Sequence, residues 1–333
     1  MSEPAAGVRD AALRALLARC SRGAAKGRLS IAIFHRVLPA PDPLFPGEVT
    51  RASFDAICGW LAAWFHVLPL DEAVERLRGH SLPERALCIS FDDGYADNHD
   101  IALPVLQSHG LCATFFIATG FLDGGRMWND TIIESIRGCT LPLLDIADIG
   151  LAGIERLDLG SAATRRAGID RILAATKYLD PAVRQSVVSR IAERVGMSLP
   201  NDLMLRSDQV KAMRQAGMQI GAHTVSHPIL ARLDDRAARD EIARSKADLE
   251  ALLGEPVGLF AYPNGKPGRD FVQRDVDLAK ALGFAAAVTT APGAARSDSD
   301  APFQLPRFTP WDASAWRFGL RMVRNLSVQP SEV

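Results

Sequence analysis

Two short motifs carry residues fit for metal-assisted chemistry. Phe91-Asp92-Asp93-Gly94-Tyr95 sets adjacent carboxylates at the end of the apolar run 86–91, and His223-Thr224-Val225-Ser226-His227 offers two imidazoles just past the apolar run 218–222. Burying carboxylates is costly unless they meet a metal, a cation or a reacting group. Together the motifs can give one divalent ion a carboxylate and two imidazoles and leave the other carboxylate as a base. Each motif alone has a plain competitor: Asp-Asp-Gly is a common solvated turn, and paired histidines are often satisfied structural groups. Two histidines and one carboxylate also hold Fe(II) in non-haem iron enzymes, a reading that leaves the second aspartate without a task. In an extended chain adjacent aspartates face opposite ways, so Asp92 and Asp93 are expected to serve different partners.

The elements behind these residues read as strands of a parallel sheet. Short β-prone runs at 29–34, 64–68, 86–91, 112–117, 218–222, 257–261 and 284–289 alternate with helical patterns, as in βα units closed into a barrel. Four of the runs end in polar clusters: His35, Asp92 with Asp93, His223 with His227, and Tyr262-Pro263-Asn264-Gly265. Strand ends of a parallel barrel converge on one rim, so the four clusters are expected to meet there. Helices are expected from Asp71 to a stop at Gly79, over 101–109 before Gly110, and over 240–253 before Gly254. The stretch 130–205 interrupts the βα rhythm with helical patterns alone, one of them capped by Asp180 with Pro181 at its first position. The domain reading is a leader over 1–28, helical or disordered, a barrel over 29–323 with the insertion 130–205, and a flexible polar tail over 324–333.

Composition bounds the partners. Of 333 residues 48% are hydrophobic and 23% charged, the balance of an ordinary globular protein. With 38 Lys and Arg against 39 Asp and Glu, a net charge of −1 supplies no general field for nucleic acid. Cys20, Cys58, Cys88, Cys112 and Cys139 are scattered and never form CxxC, which argues against a disulfide framework or a thiolate zinc site. No apolar run is long enough to span a bilayer and the first thirty residues lack the apolar core of an export signal, so cytoplasmic residence is expected. Leu13, Leu16 and Leu17 among the arginines of the leader leave room for a surface helix touching anionic lipid.

Ser90-Phe91-Asp92-Asp93-Gly94 and His223-Thr224-Val225-Ser226-His227 resemble the first two motifs of the polysaccharide deacetylases, the NodB-homology or carbohydrate esterase family four enzymes, most nearly the bacterial exopolysaccharide-associated members. The resemblance runs from about 29 to 309. It implies a distorted (β/α)7 barrel, α/β in class, that hydrolyses N-acetyl groups of amino sugars in a bacterial polysaccharide or its lipid-linked precursor. It further implies a divalent cofactor, usually Zn2+, held by Asp93, His223 and His227, with Asp92 as catalytic base and an N-acetylated glycan as partner. The third motif departs from the family's Arg-x-Pro-Tyr-Gly, reading Ala261-Tyr262-Pro263-Asn264-Gly265, so the arginine that orients the base is lost. Arg307 of Leu305-Pro306-Arg307 can replace it, and the Asn264 backbone N–H can still meet an oxyanion. The family's Leu-x-His acid is absent, whereas Phe34-His35-Arg36-Val37 resembles the early histidine of poly-N-acetylglucosamine deacetylases, which makes His35 the expected acid. Trp128, Asn129, Tyr262 and Pro263 are the expected substrate contacts, with Trp311 and Trp316 as further rings that can stack on sugars. Because two motifs depart from pattern, a glycan-binding barrel without full activity stands as the alternative.

Overall fold

The central strand-forming runs become strands buried on both faces. In the computed structural model, which describes residues 3–298, 301–309 and 312–333, ten strands form. They are β1 (Arg28–Phe34), β2 (His66–Val67), β3 (Ala86–Phe91), β4 (Thr114–Ile117), β5 (Leu143–Asp145), β6 (Arg156–Asp158), β7 (Gln219–Ala222), β8 (Leu259–Ala261), β9 (Ala286–Val288) and β10 (Ala295–Arg296). β1, β3, β4, β7, β8 and β9 pair in that order, all parallel, and β2 adds a seventh parallel strand beside the start of β3. This is the distorted seven-stranded barrel that the sequence predicts.

Closure comes from a segment outside the regular strands. Leu305 donates its N–H to the Ala287 carbonyl and accepts from the Thr289 N–H, both at 2.9 Å, while Phe308 donates to Ile31 at 2.9 Å and accepts from Ile33 at 3.1 Å. Residues 305–308 therefore bridge β9 to β1, and β10 pairs antiparallel with β1 below them.

Side-chain parity then decides what faces inward. Alternate strand residues point to opposite faces, and Leu29, Ile31, Cys88, Phe116, Leu259, Ala261, Ala286, Val288 and Leu305 form the cluster inside the barrel, beneath the helix Leu70–Arg78. Phe34, Phe91 and Phe115 occupy the opposite parity and stack on one another, with centroids 5.3 and 4.8 Å apart, under the helix Arg51–Trp64. By the same count Ser90 and Asp92 belong to the interior and Tyr262 does not.

Helix boundaries shift where capping chemistry differs from expectation. Asp234, rather than a residue at 240, accepts from the Ala237 N–H and starts the helix Asp235–Leu253, which ends at Gly254 in the left-handed conformation. Pro69 precedes Leu70–Arg78, and Asp71 lies within its first turn instead of capping it. Asn98–Ala102 adopts a wider π-type turn before the helix Leu103–Ser108. Asp180 caps Pro181–Val195 by accepting from Ala182 and Val183.

The insertion is not helical alone: β5 and β6 make an antiparallel ribbon. Ribbon and helices Trp128–Gly138, Ala162–Thr176 and Pro181–Val195 share a separate core containing Ile132, Leu144, Leu157, Ile169, Ile172 and Val188. At the termini, Glu3–Ser21 is a helix whose Leu13 and Leu17 are buried, Leu13 lying against Gly319 of the helix Ala315–Asn325. Those two leucines face protein, while Leu16 of the same helix is exposed. Within the stretch 324–333, two positions make contacts to the barrel. Asn325 is buried and exchanges two hydrogen bonds with the Gly293 backbone, and the Val333 N–H donates to Gln304. No helix among the described residues is long and apolar enough to cross a membrane.

Gly221 of β7 shows how tightly the barrel is filled next to the site. A Cβ there would lie 2.5 Å from the Phe116 ring and 3.1 Å from the Leu259 carbonyl. Gly221→Ala is expected to lower stability by about 1–3 kcal/mol through overpacking, measured as a lower urea midpoint with unchanged slope.

Candidate active site and metal centre

The rim gathers the predicted groups into one cavity of about 390 Å³, whose lining includes His35, Asp92, Asp93, His223, His227 and Asn264. A larger hollow of about 850 Å³ beside Arg78, Arg296 and Gln329 holds none of them. Asp92 continues the inward parity of β3. Asp93 would face outward from an extended strand, but its φ of 76° swings the chain so that both carboxylates enter the same cavity. Gly94 follows at φ 86°, where a side chain would meet Ile117 at 3.1 Å, so the turn needs a glycine.

Arg307 reaches Asp92 from the closing segment. Its two terminal nitrogens donate to Asp92 Oδ1 and Oδ2 at 2.6 Å each, and its Nε donates to the Thr289 carbonyl at 2.9 Å. Both side chains are almost fully buried. Burial pushes the Asp92 carboxyl up, but the guanidinium and His223 outweigh it and hold Asp92 below the ordinary carboxylate range. Breaking such a pair typically costs about 3–5 kcal/mol, because it strands a buried charge.

Asp93, His223 and His227 form a separate cluster whose ligand atoms lie within 4.8 Å of one another. Asp93 Oδ1 is buried with no hydrogen-bond partner. The nearest candidates, Nε2 of His223 at 3.5 Å and Nε2 of His227 at 3.4 Å, are beyond normal N–H···O length. His223 Nδ1 lies 2.8 Å from the Ala261 carbonyl, so Nδ1 donates there and Nε2 is the nitrogen turned toward Asp93. For His227 burial leads, and it presses the ring down to about 4, so the imidazole is neutral near pH 7. An orphaned carboxylate oxygen facing two available imidazole nitrogens fits a divalent cation.

The His223–His227 loop owes its shape to a residue that sequence reasoning missed. Glu241 accepts from the Val225 and Ser226 N–H groups at 2.9 Å each and from Ser226 Oγ at 2.6 Å. Thr224 and His227 both have positive φ, 65° and 53°, strain that a rigid support must offset. An acid fourteen residues past the motif carries no local signal.

The remaining predicted residues divide. His35 is exposed at the cavity wall, its carbonyl accepting from Asn98 at 2.9 Å. Trp128, Asn129 and Asn264 line the cavity, and the Asn264 carbonyl accepts from Thr290 Oγ1 at 2.7 Å. Tyr262 and Pro263 do not line it, which corrects their assignment as substrate contacts. Outward parity sends the Tyr262 ring onto Phe271, 4.0 Å between centroids, and its hydroxyl to the Phe303 carbonyl at 3.0 Å. Trp316 is exposed away from the cavity, and Trp311 lies outside the described residues. Among the described residues the five cysteines are free, and burial pushes the Cys58 thiol up to about 12.

A curled parallel sheet with its polar groups gathered at the carboxyl ends of the strands places the protein among α/β barrels with a rim-built site. A sequence model of the polysaccharide deacetylases matches residues 79–140 and 171–287, more than half of the chain, and the protein belongs to that family. YxkH of Bacillus subtilis (strain 168), assigned to the polysaccharide deacetylases, is 23% identical over 253 residues, which cover 75% of this chain and 62% of YxkH, less than two thirds of that relative. Among solved structures, the Streptococcus pyogenes deacetylase PplD in complex with acetate superposes with a TM-score of 0.60 at 18% identity, covering 90% of this chain and 99% of that one. IcaB from Ammonifex degensii gives 0.57 at 20% identity, covering 89% and 97%. The BpsB deacetylase domain from Bordetella bronchiseptica gives 0.54 at 17%, covering 85% and 95%. At these identities the structural likeness speaks for the fold.

Asp130 was overlooked as a titrating group. It is 3% exposed, accepts from Tyr95 Oη at 3.2 Å on both oxygens, and burial pushes its carboxyl up to about 7 from an ordinary 3.8. Between those values the folded chain holds a proton that the unfolded chain has lost. This contribution therefore stabilises fully below 3.8 and fades as pH rises towards 7, by about 4 kcal/mol at most. Urea unfolding between pH 4 and 8 should show Asp130→Asn gaining on the wild type as pH rises.

Proposed function

We propose that the protein is a metal-dependent N-deacetylase acting on N-acetylated amino sugars of a bacterial polysaccharide or of its lipid-linked precursor. The carrying observation is the division of labour between neighbouring acids: Arg307 holds Asp92 ionised, while Asp93 offers an unpartnered oxygen beside His223 and His227. Bound by Asp93, His223 and His227, a divalent ion, Zn2+ by its donor set, supplies Lewis acidity for the acetyl carbonyl and a more acidic water.

The chain's own groups do the rest. Asp92, oriented by the fork of Arg307, takes a proton from the attacking water, whose oxygen joins the acetyl carbon. The Asn264 backbone N–H donates to the oxygen on which charge develops. His35 gives a proton to the nitrogen as the C–N bond breaks, and acetate and a free amine leave. Trp128 and Asn129 contact the sugar from the opposite wall.

Acetate released from N-acetylglucosamine oligomers by protein reconstituted with Zn2+ tests the reading. Asp92→Asn is expected to cut the rate by about 10²-fold or more with metal content unchanged. Asp93→Ala, His223→Ala and His227→Ala are expected to lower metal content itself, read by elemental analysis after dialysis. Full turnover in Asp92→Asn would remove Asp92 as base. Glycan binding without acetate in the wild type would favour the non-catalytic barrel.

A further inference from the structure

The insertion contributes a cationic wall to the cavity that nothing in the hydrolytic scheme uses. Lys177 lies just past the helix Ala162–Thr176 and Arg184 in the first turn of Pro181–Val195, and both line the same hollow as Asp92 and His223. Arg184 is 7% exposed. Its guanidinium stacks 4.8 Å from the Trp128 ring and gives one long hydrogen bond, 3.3 Å, to the Lys177 carbonyl. Among the described residues neither cation forms an ion pair. Asp180 and Asp270 act on them only at a distance, and Asp270 is already engaged by the Lys266 N–H at 3.1 Å and Tyr178 Oη at 3.3 Å. Burial presses both side chains toward their neutral forms, as expected for positive charge with no counter-charge beside it.

The acids of the cavity are committed elsewhere. Arg307 neutralises Asp92, and Asp93 faces two imidazoles and the cation they suit. A neutral acetamido sugar would leave Lys177 and the free donors of Arg184 unanswered, and unanswered buried charge is costly. A guanidinium lying over an indole and giving one long hydrogen bond to a carbonyl keeps further donors for the oxygens of a planar or tetrahedral anion.

We infer that Lys177 and Arg184 form an anion subsite, so that the preferred substrate carries a carboxylate or phosphate close to the acetamido group that is hydrolysed. This rests on the deacetylase reading for its acetate readout but not for its binding readout. The anion has two chemical sources, a uronic acid within the polymer or a phosphate ester on the amino sugar.

Calorimetry on the full-length Zn2+-loaded protein separates them with three ligands: an N-acetylglucosamine tetramer, a tetrasaccharide alternating N-acetylglucosamine with glucuronate, and the tetramer bearing a reducing-end phosphate. Acetate release is followed on the same three. At least one anionic ligand is expected to bind about tenfold more tightly than the neutral tetramer at low salt, with the advantage shrinking as ionic strength rises. The anion that gains identifies the source. Arg184→Gln and Lys177→Gln should each erase most of that advantage while leaving the neutral tetramer within about twofold, and Arg184→Lys should keep much of it. If Arg184→Gln fails to fold, half-buried Lys177 carries the test. Equal binding of all three ligands, or an advantage that survives both substitutions, would overturn the subsite. Anion preference in binding with no acetate from any ligand would support the subsite and defeat the deacetylase reading.

Discussion

The buried pair between Arg307 and Asp92 is the constraint around which the rim is organised. A carboxylate inside a barrel cannot stay charged without a partner, and a guanidinium there cannot either. Each makes the other tolerable, and Thr289 and Ser90 take up two further donors of the arginine at 2.9 and 3.3 Å. Under the deacetylase reading, Asp92 is the acid left to take a proton because its partner is a guanidinium. Asp93 is turned instead, by its left-handed backbone, toward the two histidines.

Rigidity at the rim comes from packing one layer away. The strained loop from Thr224 to His227 is gripped by Glu241 and pinned by the Gly120 N–H, which donates to the Val225 carbonyl at 2.9 Å. A Cβ at Gly120 would sit 2.8 Å from that carbonyl, so the approach is available to glycine alone. On the other side Tyr95, Asp130 and the Arg36–Asp97 pair, 2.8 Å long, fill the space under the turn that follows the aspartates. Helices and rings thus convert a local backbone cost into fixed donor positions.

Much of this was legible in the sequence. Six of the seven parallel strands are almost wholly buried and read as apolar runs, β2 being a two-residue, partly exposed piece of the run 64–68, and their shared polarity puts the four polar clusters on one rim. Motif position alone puts Tyr262 at the site, but strand parity governs: Leu259 and Ala261 point inward, so the Tyr262 ring points outward. β5 and β6 were missed because three-residue strands with one buried residue each have no period to detect. Asp234 was passed over in favour of a later start, and the docking of Asn325 onto Gly293 depends on a contact across 32 residues that no local pattern encodes. Lys177 and Arg184 belong to no motif, because the fold of the insertion, not its composition, carries them to the cavity.

One feature of the architecture joins integrity to chemistry. Residues 305–308 are both the stitch that joins the two edges of the sheet and the tether of the guanidinium that governs Asp92. In most barrels a frayed seam far from the reacting atoms can go unnoticed. Here the seam carries Arg307 itself, so loosening it would loosen the hold on Asp92 in the same movement.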